Sequence, residues 1–164
     1  MAIARRSGPG RQALGLGVCL GASFAAAGLG SLFTRPAIEG WYAGLAKPWW
    51  TPPNGTFGPV WTALFAMMAV AAWLVWRRRA PGGRGALGLF AVQLMLNVVW
   101  SALFFGLRMP GAAFAHIVVL WLAIAATALA FRRVSPAAGL LLVPYLAWVG
   151  FAAALNFALW RLNA

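Results

Sequence analysis

The chain has 164 residues, 63% of them hydrophobic and 9% charged, with a mean hydropathy of +0.84. A soluble domain of this length has too little interior to hide so much apolar surface. Its 13 lysines and arginines face one acid, Glu39. Nucleic-acid binding can produce such a balance, but here the cations sit at the ends of apolar runs, the pattern of an integral membrane protein, and no nucleic-acid partner is expected.

Five charge-free stretches approach the ~20 residues that a helix needs to cross a bilayer. They run from Gln12 to Thr34, Phe57 to Trp76, Ala86 to Leu107, Ala112 to Phe131 and Ala137 to Trp160. A barrel strand would need only ~10 alternating residues. The expected fold is therefore all-α: a polytopic membrane protein, one domain over residues 1–164, with helices at about 12–34, 57–76, 86–107, 112–131 and 137–160 and a long first loop.

In the first run Arg5 and Arg6 precede an apolar stretch with small residues at Ala25-Ala26-Ala27, which resembles a secretory signal. The run continues to Phe33, so it reads as an anchor. Cys19 lies inside it, which excludes a disulfide framework and a thiolate cluster. Gly17 and Gly21 there, with Ala102 and Gly106 in the third run, are expected to let helices approach closely.

The loop that follows carries "KPWWTPPNGTFGPVW", Lys47 to Trp61, with three tryptophans and four prolines. Pro59, Pro110 and Ser135-Pro136 are expected at helix starts, with Ser135 as a cap. Pro81-Gly82-Gly83 reads as a turn. Pro144, inside the fifth run, is expected to kink it.

On the third helix Gln93, Asn97, Trp100 and Ser101 share a face. That face is either polar glue between helices or part of a cavity wall. Trp41, Trp49, Trp50, Trp76 and Trp160 fall at helix boundaries, where an aromatic belt accounts for them. Trp61, Trp73, Trp100, Trp121 and Trp148 fall within the spans, and either pack together or wall a site for a large planar ligand.

Acid–base catalysis needs a tuned proton carrier, and the inventory of Glu39, His116, Cys19 and two tyrosines is too small for it. One histidine also makes no metal site, which needs three or four ligands. His116 is either an intramembrane functional group or a neutral imidazole bonding a neighbouring helix.

The basic residues set an orientation. Arg5, Arg6, Arg11, Arg77, Arg78, Arg79, Arg84, Arg132 and Arg133 gather on one side, against Arg35, Lys47, Arg108 and Arg161 on the other. The positive-inside rule then puts the amino terminus in the cytoplasm and the first loop outside, in what is expected to be a bacterial inner membrane.

The segment "KPWWTPPNGTFGPVWTALFAMMAVAAWLVW" resembles the defining stretch of the TspO/MBR family, the tryptophan-rich sensory and translocator proteins. Four further blocks match in order: "LNVVWSALFFG", "VSP", "VPYLAW" and "LNFALWRLN". The resemblance implies a five-helix bundle, often a homodimer, whose cavity binds tetrapyrroles such as protoporphyrin IX or haem, and sterols, with no cofactor required. It places Trp61, Asn97, Trp100, Tyr145, Trp148, Ala152, Leu155 and Asn156 in the pocket and Lys47, Pro48 and Trp50 in a lid. Apart from the resemblance, the propionates of such a ligand need cationic or N–H partners at the mouth, and Lys47, Arg35 and the Trp49 and Trp50 indoles are placed for that.

Some members degrade porphyrin in light, a reaction that would fall to Trp61 and Trp148 here. Two departures from the family pattern stand out. Phe157 replaces the tyrosine of the sterol motif in "LNFALWR", although a reversed form can be read at Arg108, Phe114 and Val118. His116 stands where vertebrate members carry aspartate, which raises haem ligation as a possibility without a visible second ligand.

Overall fold

The structure, a computed structural model, describes residues 8–164. Arg5 and Arg6, the start of the basic side, lie outside the described residues. The helices are α1 (Pro9–Ile38), α2 (Asn54–Arg78), α3 (Gly83–Ser101), α4 (Pro110–Val134), α5 (Pro136–Leu141) and α6 (Val143–Leu162). A π-helical turn, Ala102–Gly106, continues α3, and α5 with α6 forms one span. The result is all-helical among the described residues, with five spans long and apolar enough to cross a membrane.

The pattern of α4 shows why these elements need a bilayer. Ala113, Ile117, Leu120, Ile124, Thr127 and Phe131 are buried at steps of three and four, a stripe facing the bundle. The opposite face is also apolar, with Val118, Val119, Leu122 and Leu129 exposed. A helix that is hydrophobic all round, yet half uncovered by protein, requires lipid on its free side. α4 packs against α3, α6, α5 and α2, while α1 lies against α2 and α3.

A second cluster lies where the first loop meets the bundle. Tyr42 packs with Phe104, Ala113, Leu155 and Leu159, joined by Trp41, Leu45 and Trp50. This end is called the loop end below. The other is the arginine end, because α2, α3 and α4 bring Arg77, Arg78, Arg79, Arg84, Arg132 and Arg133 to it.

Several local expectations are corrected. α2 begins at Asn54, so Pro59 lies more than one turn inside it and not at its start. Its missing N–H leaves only the Gly55 carbonyl without its usual donor, a small loss at a helix end. Ser135 precedes α5, but its hydroxyl makes no cap bond and is buried without a partner. Gly17 and Gly21 have no neighbour where a Cβ would stand, so they do not bring helices together.

Other glycines make the close approaches. A Cβ on Gly106 would lie 2.9 Å from Phe33, and one on Gly15 would overlap Trp76. α1 and α2 also extend beyond the expected bounds, because Arg35, Arg77 and Arg78 remain in last turns, where a cation complements the helix dipole.

The break in the fifth span follows from Pro144. Leu142 sits between α5 and α6, and its N–H bonds the Gly139 carbonyl at 3.2 Å instead of continuing the α pattern. Pro144 falls at the start of α6, where no N–H is required. Gly82, with φ of 80°, makes the turn before α3.

Candidate functional site

A cavity of about 620 Å³ lies toward the loop end, between α1, α2, α6 and α3 with its π turn. Its shape follows from how α1 and α2 pack. At the arginine end they are tight: Gly15 accepts the Trp76 ring, and the Trp73 indole donates to the Gln12 carbonyl at 3.0 Å. Toward the loop end Gly28, Gly55 and Gly58 line the cavity, and none has a neighbour within 4 Å of a notional Cβ. The two helices therefore leave a gap where a ligand can lie.

Aromatic rings form much of the wall. α2 contributes Phe57, Trp61 and Phe65; the α3 span contributes Trp100, Phe104 and Phe105; α6 contributes Trp148. Neighbouring rings fix them. Trp61 lies 5.7 Å from Phe65 and meets Tyr145 edge-on at 6.2 Å, Trp100 stacks on Phe104 at 5.4 Å, and Trp148 meets Phe57 at 6.0 Å. Contacts of this geometry orient rings as well as burying them.

Behind the rings lies a polar spine. The Tyr145 hydroxyl accepts from Asn97 Nδ2 and donates to Gln93 Oε1, both at 3.0 Å, and the Gln93 amide meets Met68 Sδ at 3.8 Å. A second chain runs from the Trp100 indole to Asn156 Oδ1 at 3.1 Å, and from Asn156 Nδ2 to the Pro110 carbonyl at 2.8 Å. The shared face of α3 thus does both jobs. Gln93 and Asn97 tie helices together, while Asn97, Trp100 and Ser101 also line the cavity.

Of the pocket and lid residues implied by the resemblance, seven line this cavity: Trp61, Asn97, Trp100, Trp148, Ala152, Leu155 and Asn156. Tyr145 is fully buried behind them and acts through Asn97 and Trp61. Lys47, Pro48 and Trp50 are not on the wall. The Lys47 ammonium bonds the Ala43 and Leu45 carbonyls at 3.0 and 3.2 Å and sits 4.8 Å over the Tyr42 ring. The Pro48 carbonyl accepts from Thr51, and Trp50 meets Phe151 edge-on at 5.8 Å.

From the loop only Tyr42 reaches the cavity, and burial pushes its phenol above the ordinary range. The loop is fastened at its centre. Ala46 N–H donates to Asn163 Oδ1 at 2.9 Å, and Asn163 Nδ2 donates to the Ala46 carbonyl at 3.0 Å.

The two other tryptophans within the spans follow the packing alternative. Trp73 packs near the arginine end with Arg77 over its ring, and Trp121 is exposed, with its indole on the Leu146 carbonyl at 3.1 Å. Neither lines the cavity. His116 Nε2 makes an interhelical bond with the Leu96 carbonyl of α3 at 2.9 Å and lies off the cavity wall. Among the described residues no three His, Cys, Asp or Glu side chains come together as metal ligands.

The α1 contribution is what sequence reasoning missed. Phe24, Ala27, Gly30, Ser31, Thr34 and Ile38 all face the cavity, beside Arg35, which the sequence alone places at the mouth. Their spacing of three and four was available in the sequence, but in a helix apolar on every side it marks no particular face.

A profile of the TspO/MBR family matches residues 18–161. The tryptophan-rich protein TspO of Chlorobaculum tepidum is 47% identical over 157 residues, covering 93% of this chain and 98% of the relative. The human translocator protein is 43% identical over 138 residues, 82% of each chain. The tryptophan-rich sensory protein of Cereibacter sphaeroides is 43% identical over 123 residues, covering 75% of this chain and 77% of its own.

Proposed function

The chain belongs to the TspO/MBR family, and from that premise we propose that its cavity binds a flat tetrapyrrole such as protoporphyrin IX or haem. Membership supports a sensor or translocator role in a membrane. The observation that carries the finer reading is the wall itself: indoles from α2, α3 and α6 around about 620 Å³, within the usual range for small-molecule sites. A planar macrocycle buries apolar area there at ~25 cal/mol per Å². Among the described residues the wall offers no carboxylate, imidazole or thiol.

The test is titration of the purified protein with protoporphyrin IX in the dark, read by quenching of intrinsic fluorescence. Trp61→Phe with Trp148→Phe is expected to weaken binding; unchanged saturable quenching would remove both from the site, and no saturable quenching in the wild type would reduce the tryptophans to packing. A second reading is light-driven oxidation of the bound macrocycle, favoured because Trp61 and Trp148 share the cavity. It requires absorbance of the bound porphyrin to decay under light and oxygen with turnover, and the double variant to abolish that decay.

A sterol is the alternative ligand for the same apolar volume. The same reading takes the working form as a homodimer in a bacterial inner membrane, with the arginine end cytoplasmic and the loop end outside. The arginines gathered by α2, α3 and α4 support that orientation.

A further inference from the structure

We propose that Arg35 makes the cavity selective for ligands bearing a carboxylate, which it pairs at the mouth while the apolar body lies between α1 and α2. The inference rests on the tetrapyrrole reading for its probe but concerns a residue of its own.

Among the described residues Arg35 is the one charged side chain lining the cavity. It stands in the last turn of α1. Among the described residues it has no hydrogen-bond or ion-pair partner, and Glu39, one turn further, does not pair with it. Lys47, the other cation expected at the mouth, is occupied by two loop carbonyls and the Tyr42 ring. A guanidinium carries five donors in a planar fork matched to a carboxylate, and it stays charged at every relevant pH.

The rest of the wall makes that charge decisive. Ser31 and Thr34 donate to the Gly28 and Gly30 carbonyls of their own helix at 2.7 and 3.0 Å, and Thr62 to Gly58 at 2.9 Å. Asn97, Trp100 and Asn156 have amide or indole donors already engaged in the polar spine. The Trp148 indole N–H on the wall is buried without a partner, but it is a neutral single donor, and a carboxylate is bound more strongly by the charged two-pronged guanidinium. A carboxylate is therefore held best at Arg35 on the rim. A neutral analogue of equal size gains nothing from Arg35.

The experiment compares protoporphyrin IX with its dimethyl ester, each titrated in the dark against wild-type protein, Arg35→Gln and Arg35→Lys. Taking the ratio of variant to wild type for each probe cancels their different partition into detergent. Arg35→Gln is expected to weaken the free acid roughly ten-fold, the size of a lost charge-assisted hydrogen bond, and the ester less than about two-fold. Arg35→Lys should retain part of the free-acid affinity. Equal weakening of both probes would mean that Arg35 only shapes the cavity, and no change in either would mean that the carboxylate does not reach it; each overturns the inference while leaving the tetrapyrrole reading standing. No saturable binding of either probe to the wild type overturns both.

Discussion

Tyr145→Phe is the sharpest test of the polar spine, because it removes one oxygen atom and little volume. Tyr145 is 0% exposed, and its hydroxyl is the common partner of Asn97 and Gln93. The two sides differ in what the loss costs. Asn97 borders the cavity and can find water, so its share is about 0.6 kcal/mol, the average for an interhelical bond in a membrane. Gln93 is also 0% exposed, and its carboxamide oxygen would be left without a donor, at about 1–3 kcal/mol.

The sum is a destabilisation of about 1.6–3.6 kcal/mol, measurable by reversible unfolding in mixed detergent followed by tryptophan fluorescence. Adding Gln93→Leu to Tyr145→Phe removes the orphaned oxygen, and part of the loss should return. A Tyr145→Phe variant within ~0.5 kcal/mol of wild type, or a double variant worse than the single one, would refute the accounting.

Three further outcomes follow from the packing. Gly139→Ala places a Cβ 2.6 Å from Arg132 Cβ and 2.9 Å from both the Ala128 carbonyl oxygen and Arg132 Cα, where backbone must move; a loss of about 1–3 kcal/mol is expected in the same unfolding assay, while Gly17→Ala, in open space, should be neutral. Asn163→Ala removes both bonds to Ala46, and hydrogen exchange should quicken in the loop around residue 46 with α4 unchanged. Trp121→Phe breaks the bond to the Leu146 carbonyl but touches no cavity surface, so porphyrin affinity should hold; a loss comparable to that of Trp61→Phe would move the site.

The number of spans and their order were legible because apolar length and flanking charge are properties of the chain itself. The cavity wall on α2, α3 and α6 was legible through the family motifs and through the shared face of Asn97, Trp100 and Ser101. Their polar atoms stand out against an apolar background. The wall on α1 was not, since Phe24, Ala27 and Ile38 look like any lipid-facing residues until α2 is seen to diverge from them.

The surroundings of Lys47 were hidden for a related reason. A cation beside tryptophans suggests a ligand contact, but the chain bends so that loop carbonyls surround the ammonium. The π turn was equally hidden. Nothing in "ALFFG" announces that Leu107 N–H will reach the Ala102 carbonyl five residues back, at 2.7 Å, and bring both Phe104 and Phe105 to the cavity.

The paired bonds between Ala46 and Asn163 have a kinetic meaning. They join loop to bundle through two residues that do not line the cavity, so a ligand inside leaves them intact. An interaction present equally before and after binding leaves the equilibrium where it is and raises the barrier for passage in both directions. Stopped-flow mixing of Asn163→Ala with porphyrin should therefore show association and dissociation accelerating together at nearly constant Kd. A ligand already inside would exchange slowly because of a clasp it never touches.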